Sequence, residues 1–194
     1  MPNESLKSKW DTRHGDAEKR PKAAEVLTQN LHLLPHKGQA LDLACGLGGN
    51  ALAMAARGMH VTAWDLSSVA IERLQEFNEA QGHSNLNATM RDVEKEPPLP
   101  NSFDVIVISY YLDRQLIPHL IAALKPGGLI FYQTFTQIAV SDEGPTNTGY
   151  RLGDNELLAL FSDLKLRFYR EENRLGDLAV GMRDVAMLVA ERVT

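Results

Sequence analysis

The sequence predicts an α/β fold in which a mostly parallel sheet is covered by helices on both faces. Apolar segments of strand character alternate with segments of helical character between residues 22 and 134. These strand segments are short and strongly apolar, as is typical of strands buried on both sides. One of them runs directly into a glycine loop, Leu-Asp-Leu-Ala-Cys-Gly-Leu-Gly-Gly-Asn at 41–50, and an Ala-rich segment follows. This order of strand, glycine loop and helix is typical of a nucleotide-type cofactor site.

The composition indicates one globular domain in a reducing compartment. Of the 194 residues, 44% are hydrophobic and 23% are charged, so we expect a buried core and no extensive disorder. The formal net charge of −5 argues against broad attraction to nucleic acid or anionic lipid. The single cysteine, Cys45, cannot form an internal disulfide, and no apolar run resembles a signal peptide or a membrane span. We therefore expect a cytoplasmic protein, monomeric or homodimeric, without a nucleic-acid or membrane partner.

The predicted elements divide the chain into an arm and one domain. Residues 1–20 are mostly polar, with Trp10 as their one aromatic residue, and are predicted to form a flexible arm or lid ahead of a single domain at 21–194. A helix is expected from residue 22 to residue 34, where Pro35 ends it. The elements predicted next are strand 40–43, helix 49–57, strand 60–64, helix 67–80, strand 87–90, strand 103–109, helix 114–124 and strand 129–134.

The C-terminal part of the chain departs from the alternation of strands and helices. Residues 135–152 are predicted to form a long loop, and residues 154–161 a helix. Two predicted strands, 165–170 and 185–191, then follow each other with no helical segment between them. We expect these two strands to pair as an antiparallel hairpin at the edge of the sheet.

The glycine loop alone leaves two cofactors open. Gly46, Gly48 and Ala51 satisfy the G-x-G-x-x-G/A spacing of dinucleotide sites, so NAD has to be considered. Asp42, however, lies four residues before the first glycine, where a carboxylate would repel a pyrophosphate and attract an ammonium or a sulfonium. The chain is also short for a nicotinamide-dependent reductase with a separate substrate domain. These observations favour S-adenosylmethionine.

Two further acidic residues at strand ends support this cofactor. Asp65 ends the second predicted strand, where a carboxylate can accept hydrogen bonds from both ribose hydroxyls. Asp92 follows the third strand and could accept from the adenine amino group while the Val93 N–H meets the ring. The alternatives are structural, because Asp65 could cap the helix that starts near Ser67 and Asp92 could cap a turn.

These motifs together resemble those of the class I S-adenosylmethionine-dependent methyltransferases. The resemblance rests on the run at 41–50, Val-Thr-Ala-Trp-Asp at 61–65, Arg-Asp-Val at 91–93 and Lys-Pro-Gly-Gly at 125–128. Within this class the chain is most similar to the tellurite-resistance, TehB-like group. That group has a similar Leu-x-Arg-x-x-x-Pro helix start and a similar Asn-Glu-Leu helix. The positions that match these two motifs are Leu112, Arg114, Pro118, Asn155, Glu156 and Leu157.

The resemblance implies a Rossmann-like, doubly wound sheet of seven strands, mostly parallel, with an antiparallel last strand. It implies S-adenosyl-L-methionine as cofactor, in a site that we expect to include Ala44, Asn50, Leu66 and Ser109 beside the residues above. Two features depart from the group. Gly49 stands where the group tends to have arginine, and the loop 134–151 does not match it well.

The arm carries two residues that resemble the N-terminal Trp-Asp-x-x-Arg of these enzymes. Trp10 and Arg13 match this motif, and Arg13 is predicted to pair with the methionyl carboxylate of the cofactor when the arm closes. The alternative is a solvated arm with one packed tryptophan. The sequence does not decide between these two interpretations.

Candidate acceptor residues follow the fourth predicted strand. Tyr110 and Tyr111 are expected at the mouth of the site, one facing the pocket and the other packing away from it. Arg114 could hold an anionic acceptor or simply occupy the first turn of its helix, and Arg151 has a weaker claim of the same kind. We identify no catalytic residue from the sequence.

Other reactive residue types are interpreted as structural. A small residue is expected inside a tight glycine loop, so Cys45 is predicted to serve packing rather than nucleophilic catalysis. His32 and His36 have the i, i+4 spacing of a metal pair, but Pro35 is expected to end the helix before both share a face. We predict no metal.

The sequence thus predicts methyl transfer to a small molecule. A soft or anionic acceptor, such as a thiol or an oxyanion of tellurium or selenium, needs little help from a general base. Because no carboxylate or histidine is recognisable as that base, such an acceptor is favoured. The alternatives are a non-catalytic S-adenosylmethionine-binding protein and, less favoured, a nicotinamide-dependent reductase.

Overall fold

The computed structural model describes residues 2–15 and 22–193, which form a seven-stranded sheet with helices on both faces. The strand order is β3-β2-β1-β4-β5-β7-β6, and all pairs are parallel except those that β7 makes with β5 and β6. The strands are β1 (Gln39–Leu43), β2 (His60–Asp65), β3 (Leu86–Met90), β4 (Phe103–Ser109), β5 (Leu124–Phe135), β6 (Lys165–Glu171) and β7 (Val185–Glu191). The predicted fold class, with its antiparallel last strand and edge hairpin, is confirmed.

Six α-helices connect or flank these strands within the described residues. They are α1 (Pro2–Gly15), α2 (Glu25–Gln29), α3 (Gly49–Ala55), α4 (Ser68–Gln81), α5 (Ile117–Ala123) and α6 (Glu156–Leu160). No helix in the described part of the chain is both long and apolar enough to cross a membrane.

The central strands are buried on both faces, as their apolar sequences predict. Leu41 packs with Ile106 in one cluster, while Val105 and Val107 belong to the cluster on the opposite face. All four side chains are fully buried, and each such burial contributes roughly 1.5–3 kcal/mol. Such rigid central strands fix the positions of the loops that leave their carboxyl ends.

The N-terminal segment is more ordered than predicted. Residues 2–15 form the helix α1, whereas a flexible arm was expected, and residues 16–21 lie outside the described part of the chain. This helix has no apolar face, so its sequence lacks the periodicity that signals a helix. It contacts the start of α4 through polar groups, because Lys7 Nζ donates to Ser68 Oγ (2.8 Å) and Ser67 Oγ donates to Asp11 Oδ1 (2.6 Å).

Three predicted boundaries need correction. The helix expected over 22–34 is only α2 followed by a 3-10 turn at Leu31–Leu33, and the helix expected over 114–124 begins as a 3-10 turn at Arg114–Leu116. Strand β5 begins at Leu124 rather than at residue 129, because the Lys-Pro-Gly-Gly segment continues along β4 through a register shift. These are differences of local hydrogen bonding and leave the topology unchanged.

The topology places a crevice at the carboxyl ends of β1 and β4. These two strands are neighbours, but from β1 the chain continues toward β2 and β3 and from β4 toward β5. In open α/β sheets ligands bind at such a switch point, outside the carboxyl ends of the strands. The glycine loop follows β1 and the tyrosine pair follows β4, so both predicted halves of the site meet there.

Candidate cofactor and acceptor site

The glycine loop has the backbone conformation that its sequence predicts. Gly46 and Gly48 have φ angles of +51° and +80°, a region that glycine enters without steric cost. At Gly48 a Cβ atom would lie 2.2 Å from Leu74 Cδ1, so a side chain there would clash with the Leu74 side chain of α4. Ala44 has a φ of +54°, which costs a non-glycine residue about 1 kcal/mol. Such strain is often found at functional sites.

Asp42 is buried beneath the loop rather than facing the crevice. Its Oδ2 accepts a hydrogen bond from the Ala51 N–H (2.9 Å), and its Oδ1 lies 3.4 Å from Asn50 Nδ2. Burial raises the pKa of this carboxyl to about 8, and the bonds from Asn50 and Ala51 counteract the effect only in part. At neutral pH Asp42 is therefore mostly protonated, which weakens the argument from charge repulsion against a pyrophosphate.

Asp65 connects the glycine loop to the start of α4. Its Oδ2 accepts from the Gly46 N–H (2.8 Å) and its Oδ1 from the Ser67 N–H (2.9 Å). The N-cap of α4 is Ser67, whose Oγ accepts from the Ala70 N–H, so Asp65 does not have the capping role that was its structural alternative. Each oxygen of an ionised carboxylate can accept a second bond, which leaves room for donors such as ribose hydroxyls.

Helix α1 covers this part of the crevice with a residue that the sequence did not single out. The ring of His14 lies against Gly46, with its Cε1 only 3.2 Å from the position a Cβ would take there. His14 stacks on Trp10, with ring centroids 5.8 Å apart, and burial lowers the pKa of its imidazole. Arg13 is exposed and lies 5.5 Å from the Trp10 ring, so it is His14 that touches the loop.

Asn50 joins the two halves of the site. Its side chain is buried, its Nδ2 donates to Ser109 Oγ at the end of β4 (3.0 Å), and its Oδ1 accepts from the Ala24 N–H (2.8 Å). The segment 22–24 therefore passes directly over the start of α3. At Gly49 a Cβ would lie 2.1 Å from the carbonyl oxygen of Lys22, which explains why this chain has glycine where the TehB-like group tends to have arginine.

The residues predicted to hold adenine, Asp92 and Val93, follow the end of β3, and Asp92 takes part in the turn that was its structural alternative. Asp92 forms an ion pair with Lys95 (2.9 Å), and its backbone oxygen accepts from the Lys95 and Glu96 amides in a turn. Partial burial opposes ionisation, but the Lys95 ammonium outweighs it and lowers the pKa of Asp92. Val93 is buried in the core, and Leu66 is half-buried.

The two tyrosines after β4 have different surroundings. Tyr111 packs against the core, whereas Tyr110 is 45% exposed and lies on Phe135, with ring centroids 5.0 Å apart. Tyr110 has a φ of +59°, an unusual conformation for an aromatic residue, and its N–H donates to the carbonyl of Gln133. Of the pair, Tyr110 is therefore the residue at the mouth.

A carboxylate that the sequence did not predict lies beside Tyr110. Gln133 is fully buried, and its Nε2 donates to Glu25 Oε2 (2.8 Å) and to the Tyr110 hydroxyl (2.7 Å). The Tyr110 hydroxyl also lies 3.4 Å from Glu25 Oε2. Burial, with the charge of Glu25 next in importance, raises the pKa of Tyr110 to about 12. No motif contains Glu25, because it is brought to this site from α2.

The two candidate anion-binding arginines already have partners. Arg114 pairs with Glu156 through Nε (2.5 Å) and Nη2 (3.0 Å), and its Nη1 donates to the Gly149 carbonyl. Arg151 is 8% exposed and donates to the carbonyls of Pro145, Thr136 and Glu143. Both guanidinium groups hold the loop 135–152 in place, so the structure gives no support for an anion-binding role of either.

The remaining candidates are placed as structural residues. Cys45 is buried among apolar side chains, and burial raises the pKa of its thiol, so the thiolate is disfavoured. His32 and His36 are both exposed. Among residues 2–15 and 22–193 no group of three or more His, Cys, Asp or Glu side chains is arranged to hold a metal ion.

Comparison with known proteins shows which proteins this chain is similar to. The family described as a methyltransferase domain matches residues 40–128, which run from β1 to the start of β5. Solved structures share the whole fold. A SAM-dependent methyltransferase from Aquifex aeolicus is 17% identical and has a TM-score of 0.69, covering 96% of this chain and 98% of its own. The fold is that of the class I methyltransferases, in agreement with the predicted cofactor, S-adenosylmethionine.

Within this class the TehB-like resemblance is confirmed. A probable S-adenosyl-L-methionine-dependent methyltransferase TehB from Haemophilus influenzae is 26% identical over 146 residues, 72% of this chain and 50% of that protein. The crystal structure of TehB from the same species has a TM-score of 0.71 at 22% identity, covering 95% of this chain and 67% of its own. A ubiquinone biosynthesis O-methyltransferase from Coxiella burnetii is 30% identical over 102 residues, 50% of this chain and 43% of its own. The chain spans about half the length of these curated relatives.

Proposed function

We propose that this protein transfers a methyl group from S-adenosylmethionine to a small molecule. The observation that carries the proposal is the arrangement of Asp65 and the glycine loop within the matched methyltransferase domain. Asp65 is nearly buried, is oriented by two backbone N–H groups and keeps further acceptor capacity at the crevice. The side-chain-free backbone at Gly46 adds a surface against which a ribose can lie once the His14 ring of α1, which covers it, moves away.

The residues of the chain act mainly by positioning. When bound, the cofactor supplies a methyl group on a sulfonium, which leaves as a neutral thioether. Asp65 is expected to orient the ribose, and Asp92 and Val93 are expected to orient the adenine. The hydrogen bond between Asn50 and Ser109 holds the cofactor half and the acceptor half of the site together. Alignment of this kind accounts for much of the acceleration of a displacement reaction.

Helix α1 is proposed to be the lid of the site. It touches the glycine loop through His14 and reaches the start of α4 through Lys7 and Asp11. Because these contacts are polar and α1 buries no apolar face, the helix can leave the crevice at small cost in hydrophobic burial. Closure over the cofactor excludes water from the reacting atoms.

For the acceptor we propose a small molecule with a soft nucleophilic atom, of which a thiol is the simplest example. The oxyanions of tellurium and selenium are the alternative that the TehB-like resemblance suggests. A cytoplasmic location, which the single cysteine favours, also remains a proposal. A purely cofactor-binding protein is less favoured because Tyr110 forms an exposed, polar mouth beside the crevice.

Turnover of labelled S-adenosylmethionine against a panel of small thiols, amines, phenols, tellurite and selenite tests the proposal. We expect transfer to at least one acceptor, with loss of most activity in Asp65→Ala. Cofactor binding without transfer to any compound would favour the cofactor-binding protein, and hydride transfer from a nicotinamide would favour the reductase.

A further inference from the structure

The acceptor mouth contains a preorganised carboxylate. Glu25 is half-buried at the start of α2, and its Oε2 accepts from Gln133 Nε2 while lying 3.4 Å from the Tyr110 hydroxyl. Gln133 is itself fixed, because it is fully buried and its Oε1 accepts from the Val26 N–H (2.8 Å). A single amide therefore sets the orientation of both Glu25 and Tyr110.

The second oxygen of Glu25 is available to a ligand. In the part of the chain that the structure describes, Oε2 accepts the bonds from Gln133 and Tyr110, and Oε1 accepts none. An ionised carboxylate is a pure acceptor, so the complementary group on a ligand is an N–H, O–H or S–H. A carboxylate at this position therefore favours methyl acceptors that can donate a hydrogen bond over those that cannot.

The position of Glu25 is suited to the acceptor rather than to the cofactor. It follows Ala24, whose N–H is bound by Asn50 beside the glycine loop, and it contacts Tyr110 and Gln133 at the ends of β4 and β5. The negative charge at the mouth is increased by Glu143, whose charge also raises the pKa of Tyr110. Because Arg114 is paired with Glu156, its charge does not compensate for this acidity.

We propose that Glu25 binds the acceptor and takes its proton, so that the substrates are neutral or cationic nucleophiles carrying N–H, S–H or O–H rather than oxyanions. This inference rests on the proposed methyl transfer. A cationic acceptor first loses a proton, which frees the lone pair of its nucleophilic atom. That lone pair forms the new bond to the methyl carbon, and the carbon–sulfur bond breaks with its electron pair left on sulfur. The proton that the acceptor loses passes to the Glu25 carboxylate and from there to water.

Binding of charge-matched probes tests the inference without knowledge of the natural acceptor. We suggest NMR titration of butylammonium and butyrate into the protein loaded with S-adenosylhomocysteine. The wild type is expected to bind butylammonium at least about tenfold more tightly than butyrate. Glu25→Gln, which keeps a hydrogen-bonding side chain of the same size, is expected to abolish this difference. Glu143→Gln removes a nearby charge that does not contact Gln133 and is expected to preserve most of it.

Kinetics with the acceptor panel provide the second readout. For a thiol or amine acceptor, Glu25→Gln is expected to lower kcat about 100-fold and to leave the affinity for S-adenosylhomocysteine unchanged. Equal binding of the two probes by the wild type, or turnover of tellurite that is undiminished in Glu25→Gln, would overturn the inference. Failure of the proposed function is recognised separately, by absence of S-adenosylhomocysteine binding. If S-adenosylhomocysteine does not bind, the probe titrations are made on the free protein, and the outcomes expected for the two probes are the same.

Discussion

The two halves of the crevice are held together by different kinds of contact. On the β1–β2 side, carboxylates accept from backbone N–H groups, as Asp42 does at the start of α3 and Asp65 at the glycine loop. On the β4–β5 side, side chains contact side chains, with Gln133 binding both Glu25 and Tyr110. The first half is a cradle of backbone N–H groups whose shape depends on an acidic residue and small residues at a few positions, while the second half can change with each side chain.

This difference suggests how one cofactor site can serve different acceptors. Backbone donors are present whatever the residue type, so the cradle needs only an acid and small residues at the correct positions. The acceptor half depends on residues that are far apart in sequence, since Glu25 and Gln133 are separated by 108 positions. Substitutions there alter the chemistry of the mouth without disturbing the cradle.

Replacement of Asp65 is expected to give the largest effect, because it breaks the cradle itself. Asp65→Ala should cost about 2–4 kcal/mol of cofactor affinity, measured by calorimetry, since charge-assisted hydrogen bonds contribute roughly 1.5–3 kcal/mol each. Asp65→Asn should retain part of this affinity, because an amide still provides one acceptor. If Asp65→Ala bound the cofactor normally and only melted at a lower temperature, the residue would be purely structural.

The buried acid Asp42 is expected to make the stability of the cradle depend on pH. Its folded pKa of about 8 lies above the unfolded value, so between roughly pH 4 and pH 8 the unfolded chain ionises while the folded protein keeps its proton. The unfolding free energy contributed by this group is therefore full below pH 4 and falls as pH rises through this range. Relative to Asp42→Asn, the wild type should lose about 2–4 kcal/mol between pH 5 and pH 8 in urea titrations. A parallel pH dependence of the two proteins would contradict this.

Substitution at Gly49 tests the point where the two halves meet. Gly49→Ala forces a Cβ against the carbonyl of Lys22 and should displace the segment that leads to Glu25. We expect a loss of about 1–3 kcal/mol in unfolding free energy, as for overpacked cores. Gly15→Ala is the matched control, because none of the residues that the structure describes lies within 4 Å of its Cβ position. Equal stability of both variants would mean that residues 22–24 do not pass over α3 in solution.

The smallest effect is expected at the lid. Because Arg13 is exposed, Arg13→Ala should weaken the binding of S-adenosylmethionine only about fivefold, which corresponds to roughly 1 kcal/mol. The same substitution should leave adenosine binding unchanged. Adenosine lacks the carboxylate with which Arg13 is proposed to pair. Equal losses for the two ligands would remove Arg13 from the site and leave His14 as the contact that α1 makes with it.

The sequence was informative wherever structure depends on local pattern. The buried strands β4 and β7 have the predicted bounds, because an apolar run of this length is itself the signal. The glycine loop was recognisable for the same reason. Helix α1 was not predicted as a helix, since it contacts α4 through polar groups and lacks an apolar periodicity.

The acceptor half could not be predicted, because its contacts arise only in the folded chain. Glu25 looks like an ordinary first-turn acid of a short helix, and Gln133 like a polar residue in an apolar strand. The preference for an acceptor that needs no base depended on finding no such carboxylate in the sequence. The structure places a carboxylate, Glu25, beside Tyr110, and the role proposed for Glu25 rests on that contact.

Calorimetric titration of S-adenosylhomocysteine and NAD tests the central claim, that the β1–β2 half is an S-adenosylmethionine site. We expect S-adenosylhomocysteine to bind with a Kd in the micromolar range, roughly −8 kcal/mol, and NAD to give no detectable heat of binding. Tight binding of NAD together with no binding of S-adenosylhomocysteine would contradict the account.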